Sequence, residues 1–123
     1  MKTDLELLAD AAKAAGFTGR SGATFHNSFA NLYYIEDPAD IGGWHLWAPL
    51  HDDGDAYRLA VKLNLHVEID AASAGVVTIE WDFDQAGSAR NYIEQEAPAS
   101  GDDFAATRRA IVRAAAHIGE AMP

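Results

Sequence analysis

Leu65-His66-Val67-Glu68-Ile69-Asp70 and, after Ala71–Gly75, Val77-Thr78-Ile79-Glu80-Trp81-Asp82-Phe83-Asp84 decide the fold class of this chain. Side chains on a strand alternate between two faces. Leu65, Val67 and Ile69 therefore share one face, and His66, Glu68 and Asp70 share the other. The second run repeats the pattern, with Val77, Ile79, Trp81 and Phe83 against Thr78, Glu80, Asp82 and Asp84. Two alternating strands joined by a short Gly-bearing loop predict a hairpin with one wet face, and Ala89–Glu94 is a candidate third strand.

Upstream of the hairpin the period changes to that of a helix. Ala56, Leu59, Ala60 and Leu63 make one apolar face behind the cluster His51-Asp52-Asp53-Gly54-Asp55, with Asn64 as a left-handed stop. At the N-terminus, Thr3 and Glu6 match a capping box. Leu5, Leu8, Ala12 and Ala15 follow at helical spacing, Leu7 and Ala11 widen the face, and Gly16 ends it. Downstream, Asp102 or Asp103 is placed to cap a third helix with Phe104, Ile111, Ala115 and Ile118 on one face and Gly119 as its stop. The aromatic-rich stretches Thr24–Phe29 and Asn31–Ile35, and then Trp44–Trp47 before Pro49, predict three short strands. The resulting order, α-β-β-β-α-β-β-β-α, predicts an α+β fold. In it an antiparallel sheet carries three helices on one face, within a single domain over residues 1–123.

Composition narrows the chemistry. The chain has no cysteine, which removes thiol catalysis, disulfides and cysteine-ligated zinc. Nineteen Asp and Glu against nine Lys and Arg give a formal charge of −10. Phosphates and anionic headgroups repel such a surface, so direct nucleic-acid binding and membrane binding are not expected. Asp4, Glu6 and Asp10 interrupt the apolar run that a signal peptide needs. No apolar run approaches the ~20 residues of a membrane span. The expectation is a soluble cytoplasmic protein.

The stretch Trp47-Ala48-Pro49-Leu50-His51-Asp52-Asp53-Gly54-Asp55-Ala56-Tyr57-Arg58-Leu59-Ala60-Val61-Lys62-Leu63 resembles the hallmark of a family of small uncharacterised phage and prophage proteins sharing a domain of unknown function. The Ala-rich run from Ala105 to Gly119 is similar to that family's C-terminal helix, and Leu7-Leu8-Ala9 with Lys13–Gly16 also fits. The chain departs from the pattern at Ala48, where the family usually has Asn, and at Tyr57, where it has Leu. The resemblance implies a phage or prophage origin, hence the cytoplasm of a bacterial host, and no particular reaction.

Three constellations are candidate binding features. Asp52, Asp53 and Asp55, beside Trp47, His51 and Arg58, either cap the second helix, form a partner-binding loop, or ligate a cation. The calcium-loop spacing is absent, so no metal is assigned. Glu80, Asp82 and Asp84, with Glu68 and Asp70, form an acidic face that is either solvated or a mimic of nucleic-acid phosphates. Arg109 and Arg113, followed by His117 and flanked by Arg108, form a cationic stripe that either pairs with the chain's own carboxylates or docks a partner. The histidines (His26, His45, His51, His66 and His117) are scattered and no serine lies in a G-x-S-x-G elbow. No catalytic residue and no cofactor is therefore assigned. The leading expectation is a non-enzymatic accessory protein that binds a host or phage protein. The alternatives are an acidic nucleic-acid mimic that occupies a DNA-binding host protein, and a small enzyme using His51 with Asp52–Asp55.

Overall fold

A computed structural model describes residues 2–24, 28, 30–39, 42–70, 76–82, 90–95 and 103–122; the side chains of 24, 70, 76–78, 81, 82 and 90–95 lie outside that description. Helices α1 (Asp4–Ala14), α2 (Asp53–Lys62) and α3 (Asp103–Ala121) alternate with strands β1 (Thr18–Ser21), β2 (Tyr33–Glu36), β3 (His45–Leu46), β4 (His66–Asp70), β5 (Val76–Asp82) and β6 (Arg90–Gln95). The α+β class and the element order are those the sequence predicts. The strands, however, divide into two antiparallel three-stranded sheets, β1-β2-β3 and β4-β5-β6, where one sheet was expected. The chain groups into two compact units, Met1–Ala48 with Ala115–Pro123, and Pro49–Ala114.

In the first unit the capping box forms as the sequence predicts. Thr3 Oγ1 accepts from the Glu6 N–H at 3.2 Å, and the Glu6 carboxylate reaches back to the Thr3 N–H. Leu8, Ala11, Ala12 and Ala15 are buried as α1 packs on β1 and β2. Gly16 then takes a left-handed φ of 79° that stops the helix. The first strand among the described residues lies at Thr18–Ser21, and the expected strand at Thr24–Phe29 falls mostly outside the described residues. Its position follows from Tyr33. A Cβ on Gly19 would come within 2.1 Å of the Tyr33 hydroxyl, so only glycine lets β1 lie under that ring. Tyr33 and Ile35 are buried beside Trp47, whose indole meets Phe17 edge-on at 5.8 Å and Tyr33 at 6.2 Å.

Gly119 does not end α3, which continues to Ala121. It is a contact residue. A Cβ there would fall 1.8 Å from the Asp10 carbonyl oxygen and 3.2 Å from the Ala14 nitrogen, so α1 and this part of α3 touch backbone to backbone. Lys2 ties the same pair by bonding Asp10 and, at 3.2 Å, Glu120, while Lys13 donates to the Met122 carbonyl at 2.9 Å.

In the second unit β4, β5 and β6 form a meander in which Ile79, fully buried, stands between Val67 and Ile93 in register. Ala56, Leu59 and Ala60 of α2 are buried as their spacing requires, and Asn64 takes the left-handed φ of 54° expected of it. In the α3 segment of this unit, Ala106, Ala110, Ile111, Val112 and Ala114 are buried. Phe104, placed by the sequence on the buried face, is instead 70% exposed.

Candidate functional site

The first turn of α2 uses each of its carboxylates. Asp52 is the N-cap: its Oδ2 accepts from the Asp55 N–H at 2.8 Å, filling one donor that the helix leaves open. Asp55 accepts from Arg58 Nη2 at 2.6 Å, and the same nitrogen stands 3.7 Å from Asp52. Asp53 accepts from Arg108 Nη1 at 2.5 Å, and Arg108 Nε donates to the Leu50 carbonyl at 3.0 Å. Arg108 thus joins α3 to the start of α2, with its side chain only 15% exposed. The stripe expected from the sequence runs through Arg109 and Arg113, with Arg108 beside it; Arg109 and Arg113 are both half-buried and have interactions of their own. His51 is exposed and does not line the cavity beside the cluster.

Behind this junction lies a cavity of about 540 Å³. Ala56, Tyr57, Ala60 and Val61 of α2 form one wall, and Phe104, Thr107, Arg108 and Ile111 of α3 form another. Leu65, Val67 and Ile69, the apolar side of the alternating pattern, supply the third. The mouth is apolar and open: Tyr57 and Phe104 are each 70% exposed, Val61 60% and Ile69 55%. A monomer rarely gathers large apolar side chains into one exposed patch without a use for them. None of these four stands among the charged residues that the sequence singled out. The signal was nevertheless present: Tyr57 and Val61 sit one helical turn apart, off the Ala56-Leu59-Ala60 face.

The remaining candidates fall elsewhere. Trp47 is a core residue at 5% exposure, so its indole is not a surface anchor. In the second sheet the register sets Glu80 opposite His66 and Tyr92, Glu68 opposite Thr78, and Asp82 opposite Arg90. No carboxylate faces another across these pairs, and Glu68 and Glu80 are diagonal neighbours, roughly 7–8 Å apart. Glu80 is half-buried, the Asp82 side chain and Asp84 lie outside the described residues, and so does His26. Among the described residues no three His, Asp or Glu side chains converge as a metal site, and no helix is long and apolar enough to cross a membrane.

No protein-family model, no curated protein and no solved structure matches this chain.

Proposed function

We propose that this chain is a non-enzymatic accessory protein of a phage or prophage, acting in the bacterial cytoplasm by binding a host or phage protein through the groove between α2, α3 and β4. One observation carries the reading: Tyr57, Val61, Ile69 and Phe104, four large apolar side chains from three elements, surround one open cavity. A cofactor or small substrate is normally buried over most of its surface. A mouth this exposed suits a macromolecular partner, which would bring the area needed to cover it. The Asp52–Asp55 cluster is then the brace that fixes one wall, not the binding chemistry itself. The phage assignment rests on the Trp47–Leu63 and Ala105–Gly119 signatures. The charge of −10 argues against nucleic acid as the direct ligand.

The test is affinity capture from bacterial lysate, read by mass spectrometry. The wild type is compared with Tyr57→Ser/Val61→Ser, Phe104→Ser and Leu46→Ser. Leu46 is an exposed apolar residue of the first sheet, at 53%, and serves as the control. A partner held by wild type and Leu46→Ser but lost from both groove variants is expected. Equal capture by all four proteins would refute the groove as the binding surface.

A further inference from the structure

Beyond the groove reading, and independently of it, we infer that β4 is a self-association edge. The β4 of a second copy of this chain pairs antiparallel with it about Val67, joining two three-stranded sheets into one of six. The order β4-β5-β6 leaves β4 at the edge of its sheet. An edge strand turns every second N–H and C=O away from its own sheet. Among the described residues β4 pairs only with β5, and no other backbone hydrogen bond reaches residues 66–69. Natural edges are blunted by proline, lysine or a bulge. His66–Asp70 contains neither proline nor lysine, and all five residues pair with β5 in unbroken register. Ile69 stays 55% exposed on this edge.

The order of side chains selects a second copy as the strand that fills the edge. Residues directly opposite in an antiparallel pair lie on one face of the sheet. A two-fold axis normal to the sheet must therefore pass through a residue position. With the axis at Val67, that residue meets its own copy, Leu65 meets Ile69 of the second copy, and His66 meets Glu68 of the second copy. The last two pairs occur twice, as an isologous contact requires. The apolar pairs lie on the cavity side, since Leu65, Val67 and Ile69 line the cavity. The other pairs set an imidazole against a carboxylate on a face where His66 and Glu68 are both exposed. An axis at Glu68 sets that carboxylate directly against itself, and one at Ile69 sets Glu68 against Asp70; like charges so placed destabilise. An axis at His66 pairs fewer residues, because Asn64 with its left-handed φ of 54° ends the extended run. The register about Val67 matches both faces. It keeps the apolar side of both copies on one face, so the floor of each cavity continues into Leu65 and Ile69 of the second copy. Each copy carries a formal charge of −10. Long-range repulsion therefore opposes the pairing at low salt and is screened at about 0.15 M, where the Debye length is ~8 Å.

The experiment is sedimentation equilibrium of the full chain from micromolar to millimolar concentration, at low salt and at about 0.15 M. Wild type is compared with His66→Lys, Glu68→Lys and the double variant. Within the chain these positions face Glu80 and Thr78, so lysine creates no like-charge pair across to β5, and unchanged thermal unfolding at low concentration verifies the fold. Expected is a monomer–dimer equilibrium in wild type that tightens with salt. His66→Lys should dimerise at least as well, because lysine there meets Glu68 of the second copy. In the double variant lysine faces lysine on both sides of the axis, and the dimer should weaken about tenfold or more. The double variant also has the least negative net charge of the four, so bulk repulsion alone predicts that it pairs best. Pairing of the double variant as tight as wild type, or tighter, would overturn the inference. A wild type that stays monomeric throughout would overturn it as well. Amide hydrogen exchange supplies a second readout: protection over residues 65–69 should rise with concentration in wild type and not in the double variant. A dimer that leaves those amides unchanged would move the interface away from β4. No other protein is present, so failure here leaves the groove reading standing, and a failed lysate capture leaves this inference standing.

Discussion

Replacing Gly119 by Ala sets two effects of opposite sign against each other. On helix propensity alone the change stabilises, because Ala is better than Gly inside a helix by about 1 kcal/mol. The backbone contact works the other way. The new Cβ would lie 1.8 Å from the Asp10 carbonyl oxygen, whereas a carbon and a carbonyl oxygen settle at about 3.3–3.6 Å. The obstacle is backbone, held by the α1 hydrogen bonds, so no side-chain rotation relieves it. The α3 residues beyond 115 and α1 must therefore part by about 1.5 Å, given that carbon–oxygen spacing. That movement would stretch the Lys2–Glu120 pair from 3.2 Å and the Lys13–Met122 bond from 2.9 Å beyond useful range. Overpacking of this kind costs about 1–3 kcal/mol, and an unyielding backbone atom puts the cost near the upper end. Set against the propensity gain, the net is a loss of about 2 kcal/mol, or roughly 5–10 °C in Tm for a chain of this size. Urea unfolding followed by far-UV circular dichroism measures it. Ala9→Gly, on the exposed side of α1, calibrates the propensity term in this protein. A Gly119→Ala variant as stable as wild type, or more so, would refute the close approach of the two helices.

Asp52→Ala removes the α2 cap and should lower stability by about 1 kcal/mol, while Asp52→Asn retains most of it; thermal melts of the pair verify this. Arg108→Ala takes away a charge-assisted bond and a mostly buried bond to Leu50, and should cost about 1.5–3 kcal/mol. Arg58→Ala, at an exposed pair, should cost under about 1 kcal/mol; urea titrations of both test the ranking. At alkaline pH two groups act in the same direction. The hydrogen bond to Asp10, with Glu120 nearby, raises the Lys2 pKa, and burial together with the Asp10 charge raises that of Tyr33. Both fold best in the protonated form, so their contribution is full below their unfolded values, near pH ~10, and is lost as pH rises through the higher folded ones. Stability should fall with pH in that range, and Lys2→Met should flatten part of the fall. Phe104→Ser should leave unfolding within about 0.5 kcal/mol of wild type, as mostly exposed positions do, which differential scanning calorimetry checks.

Much of the fold was legible because local chemistry and tertiary packing agree. Thr3 and Glu6 close their own helix end, Asn64 needs only its own backbone to stop α2, and Ile79 is buried on the apolar side of its alternating strand. The sequence failed where a residue answers to a partner far along the chain. Gly19 weakens a strand by intrinsic preference, and only the Tyr33 ring above it shows why β1 needs glycine there. Gly119 carries the local signature of a helix stop, and only Asp10, more than a hundred residues away, shows that it is a contact. The partition into two sheets is a similar case. Alternation marks strands and their wet faces, but hydrogen-bonded neighbours are chosen by contacts the pattern does not contain.

The arginines of α3 show how the same limit acts on function. Arg109, Arg113 and His117 form a stripe because residues four apart share a helix face, and a stripe of like charge invites a binding hypothesis. Arg108 lies about 100° around the helix from Arg109, a rotation set by 3.6 residues per turn, and that rotation brings it to Leu50 and Asp53. It braces the wall of a cavity whose mouth is made by Tyr57, Val61, Ile69 and Phe104. Charged residues draw attention in a sequence because they are costly to bury. In this unit the acidic cluster and its arginine are largely consumed in holding α2 against α3, and the surface left for a partner is apolar. A reading of function from charge alone therefore selects the scaffold of the site. The groove becomes visible only when exposed apolar side chains from three separate elements are found around one cavity.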